Sequence, residues 1–233
     1  KTAPTGKVAF VNKNAWEEFV NTITFGLFFK DEVTVKATAN DTLSGVDKIE
    51  YALADKAMTL DEVKAITDWT EYNGEFGVTL KEAKKFVYFV RITDKAGNMT
   101  ILSTDGAEYD ATAPDIEGVE NDKTYYTTQK VAVTDKNIDR ITLNGGTAGS
   151  ELTLDGNKEA TYTIVATDKA GNTTTVTVTM KPISELSALI DTLTKDNVNS
   201  GNEQAVDDVK AAVAAVDTTN ATDEEKAALK DIA

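Results

Sequence analysis

The 233-residue sequence predicts a mainly β chain, with two β-modules in tandem followed by a small bundle of three helices. Three observations carry this. A six-residue phrase occurs twice, as Thr93-Asp94-Lys95-Ala96-Gly97-Asn98 and as Thr167-Asp168-Lys169-Ala170-Gly171-Asn172. The three prolines, Pro4, Pro114 and Pro182, fall where a module begins or ends. Beyond Pro182 the apolar spacing changes from every second residue to the 3.6-residue period of a helix.

The repeated phrase has the chemistry of a turn. Asp at the first position of a type I turn accepts from backbone N–H groups two residues on. Gly at the fourth position takes the left-handed conformation of a G1 bulge, which a side chain resists. Strand-like runs flank each copy, Phe86 to Ile92 before the first and Tyr162 to Ala166 before the second. Each phrase is therefore a β-hairpin near the end of its module.

The first module spans residues 1–111. Gly6 to Val11 starts a strand, and Ala15 to Ile23 is a helical or irregular stretch. From Glu32 to Ala39, Val33, Val35, Ala37 and Ala39 share one face. Val46 to Ala54 is the next strand, with Ile49, Tyr51 and Leu53 on one face. Thr59 with Glu62 forms a capping box for a short helix to Ile66. Trp69 to Leu80 reads as a strand pair around Asn73-Gly74. The second module, 112–181, is a shorter version of this plan. Its strands are Lys130 to Thr134, Ile138 to Leu143, Glu151 to Leu154, Thr161 to Ala166 and Thr173 to Met180, with Asn144-Gly145 as a turn.

Residues 182–233 form the helical tail. Leu186, Leu189, Ile190 and Leu193 line one helix face; Val206, Val209, Val213 and Val216 line a second. Ser200 with Glu203, and Thr222 with Glu225, read as capping boxes. The sequence ends in the middle of a helical pattern, and the whole reads as a fragment of a longer protein.

Composition excludes several functions. The chain has no cysteine and no histidine, which removes disulfides, thiol nucleophiles, imidazole bases and the usual zinc ligands. Its net charge of −15 opposes binding to nucleic acid or to anionic lipid. No apolar stretch reaches the roughly 20 residues needed to cross a bilayer. An acid and base pair of carboxylates suits glycoside hydrolysis, but no cleft-bearing scaffold is legible, so the chain is expected not to be an enzyme. No cofactor is expected. Calcium is the candidate ion, with Asp94, Asp110, Asp115 and Asp168 at turns or module junctions, although no EF-hand spacing is present. The candidate ligand-binding aromatics are Trp16, Trp69 and Tyr72, with Tyr125 and Tyr126 in the second module; such rings more often fill a core.

The stretch Asp41-Thr42-Leu43-Ser44-Gly45-Val46-Asp47-Lys48-Ile49-Glu50-Tyr51, with the later Thr-Asp-Lys-Ala-Gly-Asn phrase, resembles bacterial immunoglobulin-like (Ig-like) domains. The resemblance covers about 1–181 and implies two tandem Ig-like β-sandwiches. The tail is similar to the small helical modules of the FIVAR type. Such modules recur in surface-anchored or secreted proteins of Gram-positive bacteria, where they space, present or anchor glycoside hydrolases and adhesins. The resemblance implies an extracellular or cell-wall-associated, non-catalytic spacer whose partners are neighbouring domains. A glycan- or host-protein-binding adhesin role for the first module is the alternative. Some domains of this class also carry an intramolecular Lys–Asn bond, which an intact mass would reveal.

Overall fold

The structure is a computed structural model, describing residues 2–11, 23–31, 33–74, 76–78, 84–191, 193, 203–214 and 216–232. The chain divides into two compact units, residues 1–112 and 113–233.

In the first unit the strands are β1 (Thr5–Phe10), β2 (Leu27–Phe29), β3 (Val33–Asn40), β4 (Val46–Ala54), β5 (Thr70–Glu71), β6 (Phe76–Val78), β7 (Lys85–Asp94), β8 (Met99–Ser103) and β9 (Ala107–Tyr109), with helix α1 (Leu60–Lys64) between β4 and β5. One sheet has the order β1-β3-β6; the other has the order β2-β9-β7-β4-β5, with β8 also on β7. Strand periodicity explains the core. Val33, Val35 and Ala37 alternate inward from β3, and Tyr88, Val90 and Ile92 from β7, to meet Val8, Phe10 and Phe29. The opposite face of β7 buries Val87 and Phe89 against Val63 of α1. Helix α1 starts on the expected capping box, since Thr59 Oγ1 accepts from Glu62 N–H and the Glu62 side chain accepts from Thr59 N–H.

In the second unit the strands are β10 (Asp115–Glu117), β11 (Lys123–Tyr125), β12 (Gln129–Thr134), β13 (Ile138–Leu143), β14 (Gly146–Thr147), β15 (Glu151–Leu154), β16 (Ala160–Asp168) and β17 (Thr173–Met180), followed by helices α2 (Ile183–Asp191), α3 (Glu203–Ala214) and α4 (Asp223–Ile232). Its sheets, β10-β12-β15 and β11-β17-β16-β13-β14, follow the strand plan of the first unit. Even the register shift against the central strand recurs, between Val46 and Lys48 in β4 and between Ile138 and Arg140 in β13. Val131, Leu154, Ile164, Ala166, Val178 and Met180 are fully buried in its core.

Three expectations change. Asn73-Gly74 does not close a hairpin, because β5 pairs with β4 while β6 crosses to the other sheet and pairs with β3. Leu53 is half exposed, whereas Ile49 and Tyr51 are partly buried against the core. On α3, Val213 is exposed and Ala212 takes the buried position beside Val209. Tyr125 and Tyr126 are core residues. Most of Ala15 to Ile23, and Ser200 of the second capping box, lie outside the described residues.

Candidate functional site

The twice-used phrase builds the same turn twice. In the first copy Gly97 N–H donates to Asp94 O at 3.0 Å and Gly97 takes φ 81°. Asp94 Oδ1 accepts from Ala96 N–H (2.9 Å) and Asn98 N–H (2.8 Å); its Oδ2 accepts from Asn98 Nδ2 (2.6 Å) and Ser44 Oγ (2.9 Å). These donors, led by the Asn98 amide, outweigh burial and hold the Asp94 carboxyl below its ordinary value. In the second copy Gly171 has φ 87°, and Asp168 accepts from Asn172 N–H (2.8 Å) and Asn172 Nδ2 (2.7 Å). Both aspartates are buried. Chemically each carboxylate acts as a bracket that ties a hairpin turn together.

Of the other calcium candidates, Asp110 is buried and its Oδ1 accepts from Thr112 N–H at 3.1 Å. Asp115 is exposed on β10. Sequence reasoning missed residues that support these turns. Asp41 Oδ1 accepts from the N–H groups of Leu43, Ser44 and Gly45, which places Ser44 over Asp94. Two residues beyond each repeated phrase, a threonine seals the module start: Thr100 Oγ1 donates to Pro4 O and Thr174 Oγ1 donates to Pro114 O, each at 2.5 Å. The shared signal, Asn-Xaa-Thr after each glycine, was present in the sequence.

Trp16 lies outside the described residues. Trp69 is half buried, its indole N–H donating to Ile66 O at 2.9 Å while the Arg91 guanidinium lies over the ring at 4.4 Å. Arg91 also pairs with Glu50 at 2.8 Å, and Lys48 reaches the same carboxylate at 3.0 Å. Burial alone raises the Glu50 carboxyl, but these two cations carry it below its ordinary value. Tyr72 packs on the core, and its hydroxyl accepts from Ala37 N–H at 2.9 Å. The structure therefore does not bring Trp69 and Tyr72 together as an open platform. Beside them, a cavity of about 510 Å³ is lined by Tyr51, Leu53, Met58, Ile66, Asp68 and Thr70.

No helix among the described residues is long and apolar enough to cross a membrane. No curated protein matches the chain. Among solved structures, the fibronectin(III)-like modules of Clostridium thermocellum CbhA are 12% identical, with 76% of this chain and 95% of that one covered and a TM-score of 0.34. A Bacteroides ovatus protein of the mixed-linkage glucan utilization locus, SGBP-B, in complex with a mixed-linkage heptasaccharide, is 16% identical (73% and 47% covered, TM-score 0.30). The N-terminal eight Ig domains of Down Syndrome Cell Adhesion Molecule are 11% identical (77% and 25% covered, TM-score 0.45). The chain thus spans under half the length of the last two. Bacterial Ig-like domains are generally non-catalytic and usually occur in extracellular proteins, and residues 3–111 of this chain match the model of that family, the bacterial Ig-like domain.

Proposed function

We propose that the chain is a non-catalytic spacer and presentation region of a larger extracellular protein of a Gram-positive bacterium. Two tandem Ig-like sandwiches are followed by a FIVAR-like three-helix module, and the partners are neighbouring domains such as a glycoside hydrolase or an adhesin. The observation that carries the reading is how each unit closes. β2 pairs in parallel with β9, and β11 in parallel with β17. Backbone bonds bracket the second pair, from Asp122 N–H to Thr177 O (2.7 Å) and from Lys181 N–H to Tyr125 O (2.9 Å). Tension that pulls an early strand backwards and a final strand forwards loads every bond of a parallel pair at once. An antiparallel hairpin pulled from its open end instead breaks one bond at a time. A unit closed in this way resists extension, as a spacer must.

Force spectroscopy on the chain held between its termini tests this. The expected result is one abrupt unfolding event per β unit, with the second weakened by Lys181→Pro, which removes the N–H that bonds Tyr125 O at the end of the β11–β17 pair. Gradual extension without such events overturns the spacer reading. The second reading, binding of glycan or host protein by the first unit, is favoured by the cavity beside α1. Saturable calorimetric binding of a glycan, lost in Met58→Ala, would establish it. The calcium candidates are tested by melting with and without chelator: a shifted midpoint assigns an ion to them, and an unchanged one overturns that assignment.

A further inference from the structure

Helix α4 attaches to the second unit by unusual means. Its apolar residues contribute no fully buried side chain among those described, and its buried residue is Glu225, at 1% exposure. Oε2 of Glu225 accepts from Thr222 N–H at 2.7 Å, and Thr222 Oγ1 accepts from Glu225 N–H at 3.2 Å, completing the capping box. Oε1 turns the other way. It accepts from Thr128 N–H (2.9 Å) and Thr128 Oγ1 (2.7 Å), at the entrance to β12. Thr128 Oγ1 in turn accepts from Gly156 N–H at 3.2 Å. Close by, Thr127 Oγ1 donates to Asp217 O, just before α4. One carboxylate is thus both the start signal of a helix and its anchor on a sheet.

The site is sterically closed. A Cβ on Gly156 would sit nearer than 3.0 Å to both Glu225 Oε1 and Thr128 N. Among the described residues, Tyr126, Leu186 and Ala212 are buried together under the helices with a few half-buried neighbours. The sandwich core, from Ile116 to Met180, is a separate cluster complete without them.

We propose that the helical segment is a releasable strap on the second unit, latched by Glu225, and that α4 and the 127–129 segment open together while the sandwich stays folded. Burial of a carboxylate is tolerated here because each oxygen has donors; removing either side leaves buried polar groups without partners. Latch and helix cap are the same carboxylate, so removing Glu225 takes away both.

Hydrogen exchange by mass spectrometry on the full chain tests the latch, comparing wild type with Glu225→Ala, Gly156→Ala and the exposed control Glu224→Ala. Gly156→Ala acts from the sheet side and leaves the helix sequence untouched. The expected result is about tenfold or faster exchange in both α4 and residues 127–129 for Glu225→Ala and for Gly156→Ala, with β16 and β17 unchanged. The control matches wild type. Unchanged α4 exchange in Gly156→Ala overturns the proposal, because Glu225 is then a helix cap alone. Faster exchange of β16 and β17 in either variant also overturns it, since the strap and sandwich would open as one.

Discussion

Asp94 illustrates how a residue that looks chemical is spent on structure. Its folded-state carboxyl titrates below the ordinary value of 3.8, because the charged form collects donors from Asn98, Ala96 and Ser44. The contribution to stability is therefore complete above the unfolded value and is lost as pH falls through the folded one. Asp41, held low by the N–H groups of the 43–45 turn, adds in the same direction. Acidification below about pH 4 is expected to lower the melting temperature of the first unit. Asp94→Asn should flatten that dependence, as followed by tryptophan fluorescence against pH. Asp168→Ala, which strips the second turn of its bracket, is expected to cost about 1–3 kcal/mol in denaturant melts. The turns were legible because every group in them lies within a few residues. The Thr100–Pro4 seal was not, since its partners are 96 residues apart and no local rule pairs them.

The two Asn-Gly pairs show where local rules hold for elements. At Asn144-Gly145, with φ 49° and 80°, the chain turns in two residues and β14 returns along β13. The same dipeptide at 73–74 ends in a crossover, because β6 finds its partner on the opposite sheet. Turn chemistry sets what a dipeptide permits, and the competition between sheets for the next strand decides the outcome. Capping boxes travelled better, as the Thr59–Glu62 and Thr222–Glu225 pairs both formed. Helix face was less secure: a valine-only stripe on α3 put Val213 inside, whereas Ala212 is buried. Val209→Ala is accordingly expected to destabilise by roughly 1–2 kcal/mol, while Val213→Ala stays within about 0.5 kcal/mol, compared by far-ultraviolet circular dichroism melts.

For the whole molecule, composition and repetition made the architecture readable, while Asp94 and Asp168 hold hairpin turns and Tyr125 and Tyr126 are core residues. Aromatic rings are ambiguous in sequence because burial and ligand stacking use the same surface; the Trp69 ring lies under Arg91 and its indole N–H is tied to Ile66. Both tryptophans of the chain lie in residues 1–112, so tryptophan fluorescence reports the first unit selectively. Leu154→Ala, which empties a fully buried position in the second unit, is expected to cost about 2–5 kcal/mol there. Its transition should move in circular dichroism while the fluorescence midpoint stays in place.

The proline seals bear on how such a chain can change over evolutionary time. Each unit fastens its own first strand to its own last hairpin, yet the fastening spans 96 residues in one unit and 60 in the other. The first unit accommodates an additional 36 residues between its sealed ends within an unchanged frame, the difference between those two spans. Loop-closure entropy grows only logarithmically with length, so inserts between fixed seals are cheap. The sandwich of the second unit is then the minimal frame, and the connections around α1 are the natural place to graft a foreign loop without re-engineering the sandwich.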